Sequence, residues 1–139
     1  MEDISPYGDL NAWRRQSILI VDDEANIRSL LFRVLSKSGF AIHEAANGEE
    51  ALSIGQDSSI DLLITDIVMR GMNGVDLAAK LQQQYPRMRV LFTSGYTADQ
   101  LEKIKLPENA EFIAKPWMPE DILQIAVRLL GQKHPNIAD

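Results

Sequence analysis

Four short stretches of this 139-residue chain place reactive side chains directly behind apolar runs. Asp22-Asp23 follow Ile18–Val21, Asp66 follows Leu62–Thr65, Ser94 follows Val90–Thr93, and Lys115-Pro116 follow Glu111–Ala114. From Asp22 through Asp66 and Ser94 to Lys115 the steps are 44, 28 and 21 residues, so no local cluster exists in the sequence. If folding brings them together, three carboxylates, a hydroxyl and an ammonium converge. Two carboxylates about 5 Å apart repel by roughly 3 kcal/mol at an effective dielectric of about 20, and three carry on the order of 10 kcal/mol. One lysine ammonium is not expected to cancel that. A hard divalent cation is, and an all-oxygen site that keeps several waters suits Mg²⁺ or Mn²⁺ better than zinc or copper. One carboxylate then remains free as a nucleophile. A phosphoryl group arriving on Asp66 would meet the cation, the Ser94 hydroxyl and the Lys115 ammonium, the positioning and neutralisation that phosphoryl transfer needs.

Such convergence requires elements that end at one edge. Five runs of strand length occur, the four above and Ala41–Ala45, mostly apolar on both faces as in a parallel sheet covered by helices on each side. Segments of helical period separate them, the pattern of an α/β chain of βα units. Ile27, Leu30, Leu31, Val34 and Leu35 follow one helical stripe, with Gly39 placed to cap it. Ile122, Ile125, Ala126, Leu129 and Leu130 follow another, opened by Pro119 and two acids and closed by Gly131. Gly48–Ile54 and Val75–Gln84 are further helices, whereas Thr97–Lys105 offers only Leu101 and Ile104 as its stripe. In open α/β sheets ligands lie beyond the carboxyl ends of the strands, where the reactive residues fall.

Length and composition bound the rest. The chain has room for one domain, and 45% apolar with 24% charged residues is ordinary for a globular protein. Residues 1–16 carry Pro6 and Gly8 without a sustained period and read as a tail or linker, residues 17–131 as the domain, and residues 132–139 as a second tail with no output domain attached. The absence of cysteine excludes disulfides, thiolate zinc sites, iron–sulfur clusters and a cysteine nucleophile. The longest apolar run, Ile18–Val21, is too short for a spanning helix, and the acidic start lacks a signal-peptide pattern, so a cytoplasmic protein without membrane contact is expected. A formal charge of −6 has the wrong sign for direct attraction to nucleic acid.

Each residue also has an ordinary reading when taken alone. Asp22-Asp23-Glu24 suits a helix start, Asn73-Gly74 a turn, Ser94-Gly95 turn chemistry, Lys115-Pro116 a solvated strand exit, and Phe112 the core. His43 reads as a packed or edge histidine and His134 as a tail residue, so neither looks like a phosphodonor on a helix. Trp13-Arg14-Arg15 reads as a solvated linker in preference to a docking helix. Met69 and Met72 belong to the loop after Asp66, not to a methionine-rich binding face.

Their joint order nevertheless resembles the receiver (response regulator) domains of two-component signalling, from about Ser17 to Gly131. Ile18-Leu19-Ile20-Val21-Asp22-Asp23-Glu24 resembles the first strand and acidic pair of that family, and Asp66-Ile67-Val68-Met69-Arg70-Gly71-Met72-Asn73-Gly74 its phosphoacceptor loop. Val90-Leu91-Phe92-Thr93-Ser94-Gly95-Tyr96 resembles the switch-hydroxyl strand and Phe112-Ile113-Ala114-Lys115-Pro116-Trp117 the lysine strand. The resemblance implies a flavodoxin-like (βα)5 fold, a doubly wound parallel sheet of strand order 2-1-3-4-5. It implies Asp66 as phosphoacceptor, Asp23 as the more direct metal carboxylate, Asp22 as its partner partly through water, and Val68 as a backbone-carbonyl ligand. Ser94 would bond the phosphoryl oxygen, with Thr93 as the alternative in register. Lys115 would pair with the phosphoryl group ahead of a cis bond to Pro116, and Phe112 would stand for the rotating aromatic, switching by packing alone. The implied partners are a histidine kinase or histidine phosphotransfer protein as donor, and a binding partner or second copy of the chain on the surface of the fourth helix, fifth strand and fifth helix.

Arg70 departs from the family pattern, which has proline four residues after the acceptor. The loop gains backbone freedom, and a guanidinium stands near the site. Val68 and Tyr96 lie where the family tunes water access, and neither side chain positions water as an amide or carboxylate does. Slow self-dephosphorylation is therefore expected. Two rival functions stay open: a Mg²⁺-dependent phosphohydrolase acting through an aspartyl phosphate, disfavoured by Val68 where such enzymes carry a second aspartate, and a degenerate receiver that binds partners unphosphorylated. No Gly-x-Gly-x-x-Gly or Walker-type loop follows the first strand, which disfavours a nucleotide site.

Overall fold

The structure, a computed structural model, describes residues 15–131. Elements alternate as β1 (Ser17–Val21), α1 (Ala25–Ser36), β2 (Ala41–Ala45), α2 (Gly48–Asp57), β3 (Leu62–Asp66), α3 (Gly74–Gln84), β4 (Arg89–Ser94), α4 (Ala98–Glu102), β5 (Glu111–Ala114) and α5 (Pro119–Gly131). The strands form one parallel sheet in the order β2-β1-β3-β4-β5. The anticipated doubly wound α/β architecture is the observed one.

Side-chain alternation along each strand divides the core in two. Ile18, Ile20, Leu62, Ile64 and Leu91 face α1 and α5, packing on Leu31, Leu35, Ile122, Ala126 and Leu129. Leu19, Val21, Leu63, Val90 and Phe92 face the other way, onto Ala51, Leu77, Ala78 and Leu81 of α2 and α3. Each fully buried large side chain contributes about 1.5–3 kcal/mol relative to exposure. The three inner strands are therefore apolar on both faces, as expected, but the edge strands β2 and β5 are only partly buried. That is why they tolerate His43, Glu44 and Glu111, and it makes His43 an edge-strand residue.

Caps set several helix starts. Asn47 and Asn73 accept from the backbone N–H groups of Glu50 and Asp76, and Thr97 forms a capping box with Gln100. Asn73-Gly74 is thus a helix entry and not the ordinary turn its sequence allows. The fourth helix stops at Glu102, short of the expected Lys105. Leu101 and Ile104 still pack on the core, but Pro107 follows too closely for another turn to form. Gly39 has φ 89°, two residues beyond the α1 cap Lys37, and the second helix continues to Asp57, past the expected Ile54. The tail residues, including Trp13, Arg14 and His134, lie outside the described residues, while Arg15 donates to the carbonyls of Gly39 and Phe40.

Candidate acidic site at the strand ends

Strand register assembles the site. Val21 pairs with Ala45 and Thr65, Asp66 with Thr93, and Ser94 with Ala114, so Asp22, Asp66, Ser94 and Lys115 all emerge at one edge. Backbone bonds lock the loops that follow. The Ile67 N–H donates to the Thr93 carbonyl at 3.0 Å and the Lys115 N–H to the Ser94 carbonyl at 2.8 Å.

One carboxylate oxygen each from Asp22, Asp23 and Asp66 lies within 4.8 Å of the others. Asp22 and Asp66 are buried, 2% and 8% exposed, whereas Asp23 is exposed. Lys115 Nζ stands 2.8 Å from Asp66 Oδ2 and 3.4 Å from Asp22 Oδ2. Asp22 Oδ1 accepts from the Glu24 N–H at 2.9 Å, and Asp66 Oδ1 from the Val68 N–H at 3.2 Å. Ser94 is fully buried, with its Oγ accepting from the Tyr96 N–H at 2.9 Å. The Val68 side chain is exposed, and the Lys115–Pro116 bond is cis.

At these separations each carboxylate pair repels by at least about 3.5 kcal/mol at an effective dielectric near 20, while the ammonium attracts Asp66 and Asp22 by about 6 and 5 kcal/mol. Lys115 therefore more than offsets the repulsion between the two acids that it touches, and its attraction is about as large as the repulsion of all three pairs, more than the sequence led one to expect of a single ammonium. Three carboxylates against one ammonium still leave a net negative site, with Asp23 at its open side. Burial pushes the Asp22 carboxyl above the usual carboxylate range, and the Glu24 N–H and Lys115 charge only partly oppose it. For Lys115, burial works against the charged form but is outweighed by the hydrogen bond to Asp66 and the charges of both acids, so its pKa is raised. Three carboxylate oxygens gathered within reach of one small cation fit a hard, oxygen-seeking metal.

The site uses three residues whose role the sequence did not announce. Gly74 lets the start of α3 lie on β3: a Cβ there would stand 2.1 Å from the Asp66 carbonyl oxygen. Its sequence signals are the Asn-Gly pair ahead of a helical stripe and its place at the end of the loop that follows Asp66. Arg28 Nη1 donates to the Asp22 carbonyl at 2.7 Å, with no local pattern to mark it. Trp117 joins Ile27, Leu30, Lys115 and Pro116 in lining a mainly apolar cavity of about 420 Å³ beside the site. Met69, read as a loop residue, is buried in the core. Phe112 is partly buried against that same core, and Arg70 is exposed.

Comparison with known proteins adds ancestry to the geometry. Residues 18–127 match the family model of the response regulator receiver domain. The chain is 35% identical over 121 residues to the sensor kinase CckA of Brucella abortus, covering 84% of this chain and 13% of that protein. It is 32% identical over 107 residues to the transcriptional regulatory protein ResD of Bacillus subtilis, covering 76% and 44% respectively. The crystal structure of a CheY-like receiver domain protein from Methanospirillum hungatei superposes with a TM-score of 0.76 at 28% identity, covering 84% of this chain and 94% of that one. The chain thus spans less than half the length of these two curated relatives.

Proposed function

The chain belongs to the response regulator receiver domain family, and on that premise we propose that residues 17–131 form a phosphoacceptor module that takes a phosphoryl group on Asp66 from a phosphohistidine. The observation that carries this reading is the single ammonium of Lys115 shared between Asp66 and Asp22 beside the exposed Asp23.

Asp66 Oδ attacks the phosphorus, the bond to the donor imidazole breaks, and the phosphoryl group is left as an acyl phosphate on Asp66. Asp22, Asp23, Asp66 and the Val68 carbonyl would hold Mg²⁺ or Mn²⁺, which when bound supplies charge neutralisation for the phosphoryl oxygens. Lys115 exchanges its contact with Asp66 for one with the incoming oxygens. Ser94 turns its hydroxyl from accepting the Tyr96 N–H to donating to the phosphoryl group, with Thr93 the alternative. That movement links the site to β4 and β5, where Phe112 follows by repacking, and to the α4-β5-α5 surface on which a partner or second copy binds. Moving the two-state equilibrium from 1:99 to 99:1 needs about 5.5 kcal/mol of preference, which contacts of the phosphoryl group to Ser94, Lys115 and a bound cation would have to supply.

The donor is a histidine kinase or histidine phosphotransfer protein. A protein that brings phosphohistidine to Asp66 covers the rim next to Lys115, and the apolar cavity of Ile27, Leu30 and Trp117 continues from that rim. Nothing in this reading calls on nucleic acid or membrane, and among the described residues no helix is long and apolar enough to cross one.

Incubation with acetyl phosphate and Mg²⁺ tests the proposal by intact mass. The expected result is one added phosphate that requires the cation and disappears in Asp66→Ala. Labelling that survives in Asp66→Ala would refute it, and sustained release of phosphate from a monoester would favour a hydrolase.

A further inference from the structure

We infer that Arg28 is a positioning residue of the acidic site, fixing the Asp22–Asp23 peptide so that the Asp23 carboxylate is presented to the cation; this rests on the metal-dependent reading above. Arg28 lies one turn into α1, whose N-cap Glu24 makes no side-chain cap. Its Nη1 donates to the Asp22 carbonyl at 2.7 Å, and its Nε stands 3.8 Å from Glu44 Oε1 on the edge strand β2. The Arg28 side chain is 19% exposed.

Every other polar group of Asp22 is separately anchored. Its N–H donates to the Ala45 carbonyl, one carboxylate oxygen accepts from the Glu24 N–H, and the other faces Lys115. The carbonyl held by Arg28 belongs to the peptide plane leading into Asp23. Holding that oxygen fixes the rotation about both flanking bonds, and so the direction in which Asp23 leaves the chain. Asp23 needs such support, because it is exposed and its carboxylate has no hydrogen-bond partner among the described residues. Groups behind the ligands commonly set metal affinity in this way.

Charge and positioning predict opposite signs. Arg28 is a cation near a cation site, so on electrostatic grounds alone its removal strengthens divalent binding. Loss of a positioning bond weakens it.

Mn²⁺ titration of the full chain, followed by the free-ion paramagnetic resonance signal, separates the two. We expect Arg28→Ala to bind about tenfold more weakly than the unaltered chain, and Arg28→Lys, which keeps a donor for the carbonyl, to recover most of that loss. Glu44→Gln, which removes only the 3.8 Å ion pair to β2, is expected to stay within about twofold. Unchanged or tighter binding in Arg28→Ala overturns the proposal, as does an equal loss in Glu44→Gln. Should Arg28→Ala fail to fold in a metal-free melt, Arg28→Gln against Arg28→Lys carries the same comparison. An unaltered chain that binds no Mn²⁺ overturns the metal-dependent reading itself and this inference with it, an outcome distinct from normal binding that Arg28→Ala leaves undisturbed.

Discussion

Asp22 bears the electrostatic cost of the site most directly. Burial raises its carboxyl pKa in the folded protein above that of the unfolded chain, despite the Glu24 N–H and the nearby ammonium. The ionised side chain therefore reduces stability at pH above the folded value. That reduction fades as pH falls through the folded value toward the unfolded one, where both states hold the proton. Without divalent cation, Asp22→Asn is expected to melt higher at pH 7, with the gap closing in acid; melts across a pH series check the sign and the trend. On the proposed phosphoacceptor reading, Val68 would bear on the opposite end of the cycle, loss of the phosphoryl group. Its N–H donates to Asp66 Oδ1 while its apolar side chain lies 48% exposed, offering nothing to orient an attacking water. Val68→Asn is expected to shorten the lifetime of phosphorylated Asp66 severalfold, read by phosphate loss after donor removal. The types of these residues were legible because each followed an apolar run. Their burial was not, since Asp22 and Asp23 are neighbours in sequence yet one is enclosed and the other open.

Elements hold these residues by backbone contacts that composition does not display. Gly74 is the sharpest instance, with the start of α3 resting on the Asp66 carbonyl where a Cβ would stand 2.1 Å away. Gly74→Ala is expected to cost about 1–3 kcal/mol and to slow labelling of Asp66 as well, because relief of the clash moves the acceptor strand; denaturant melts and labelling rates measure the two effects. Asn73→Ala removes the α3 cap without that clash. It is expected to cost about 1 kcal/mol while leaving the labelling rate nearly unchanged. Strongly periodic helices were readable, since the stripes on α1 and α5 pack side by side on one face of the sheet. The end of α4 was not, because two apolar residues fit either a helix or a packed irregular segment.

For the molecule as a whole, stability and function meet at the sheet edge. A cation that binds only the folded state stabilises it by about 2.7 kcal/mol at a hundred times its dissociation constant. Saturating Mg²⁺ is thus expected to raise the melting temperature by several degrees, and Asp23→Asn to remove most of that rise, as thermal melts with and without the ion will show. The sequence by itself determined the alternating elements, the two-sided apolar strands and the order in which acid, hydroxyl and lysine occur, because hydrophobic period and strand ends are local properties. Only the tertiary structure decided that Lys115 is shared between Asp22 and Asp66, that Gly74 carries α3 onto the Asp66 carbonyl, and that Arg28 reaches back to the Asp22 peptide. Those facts depend on the register of parallel strands distant in the chain and on the close packing of helix against sheet, and both are set by the whole core at once.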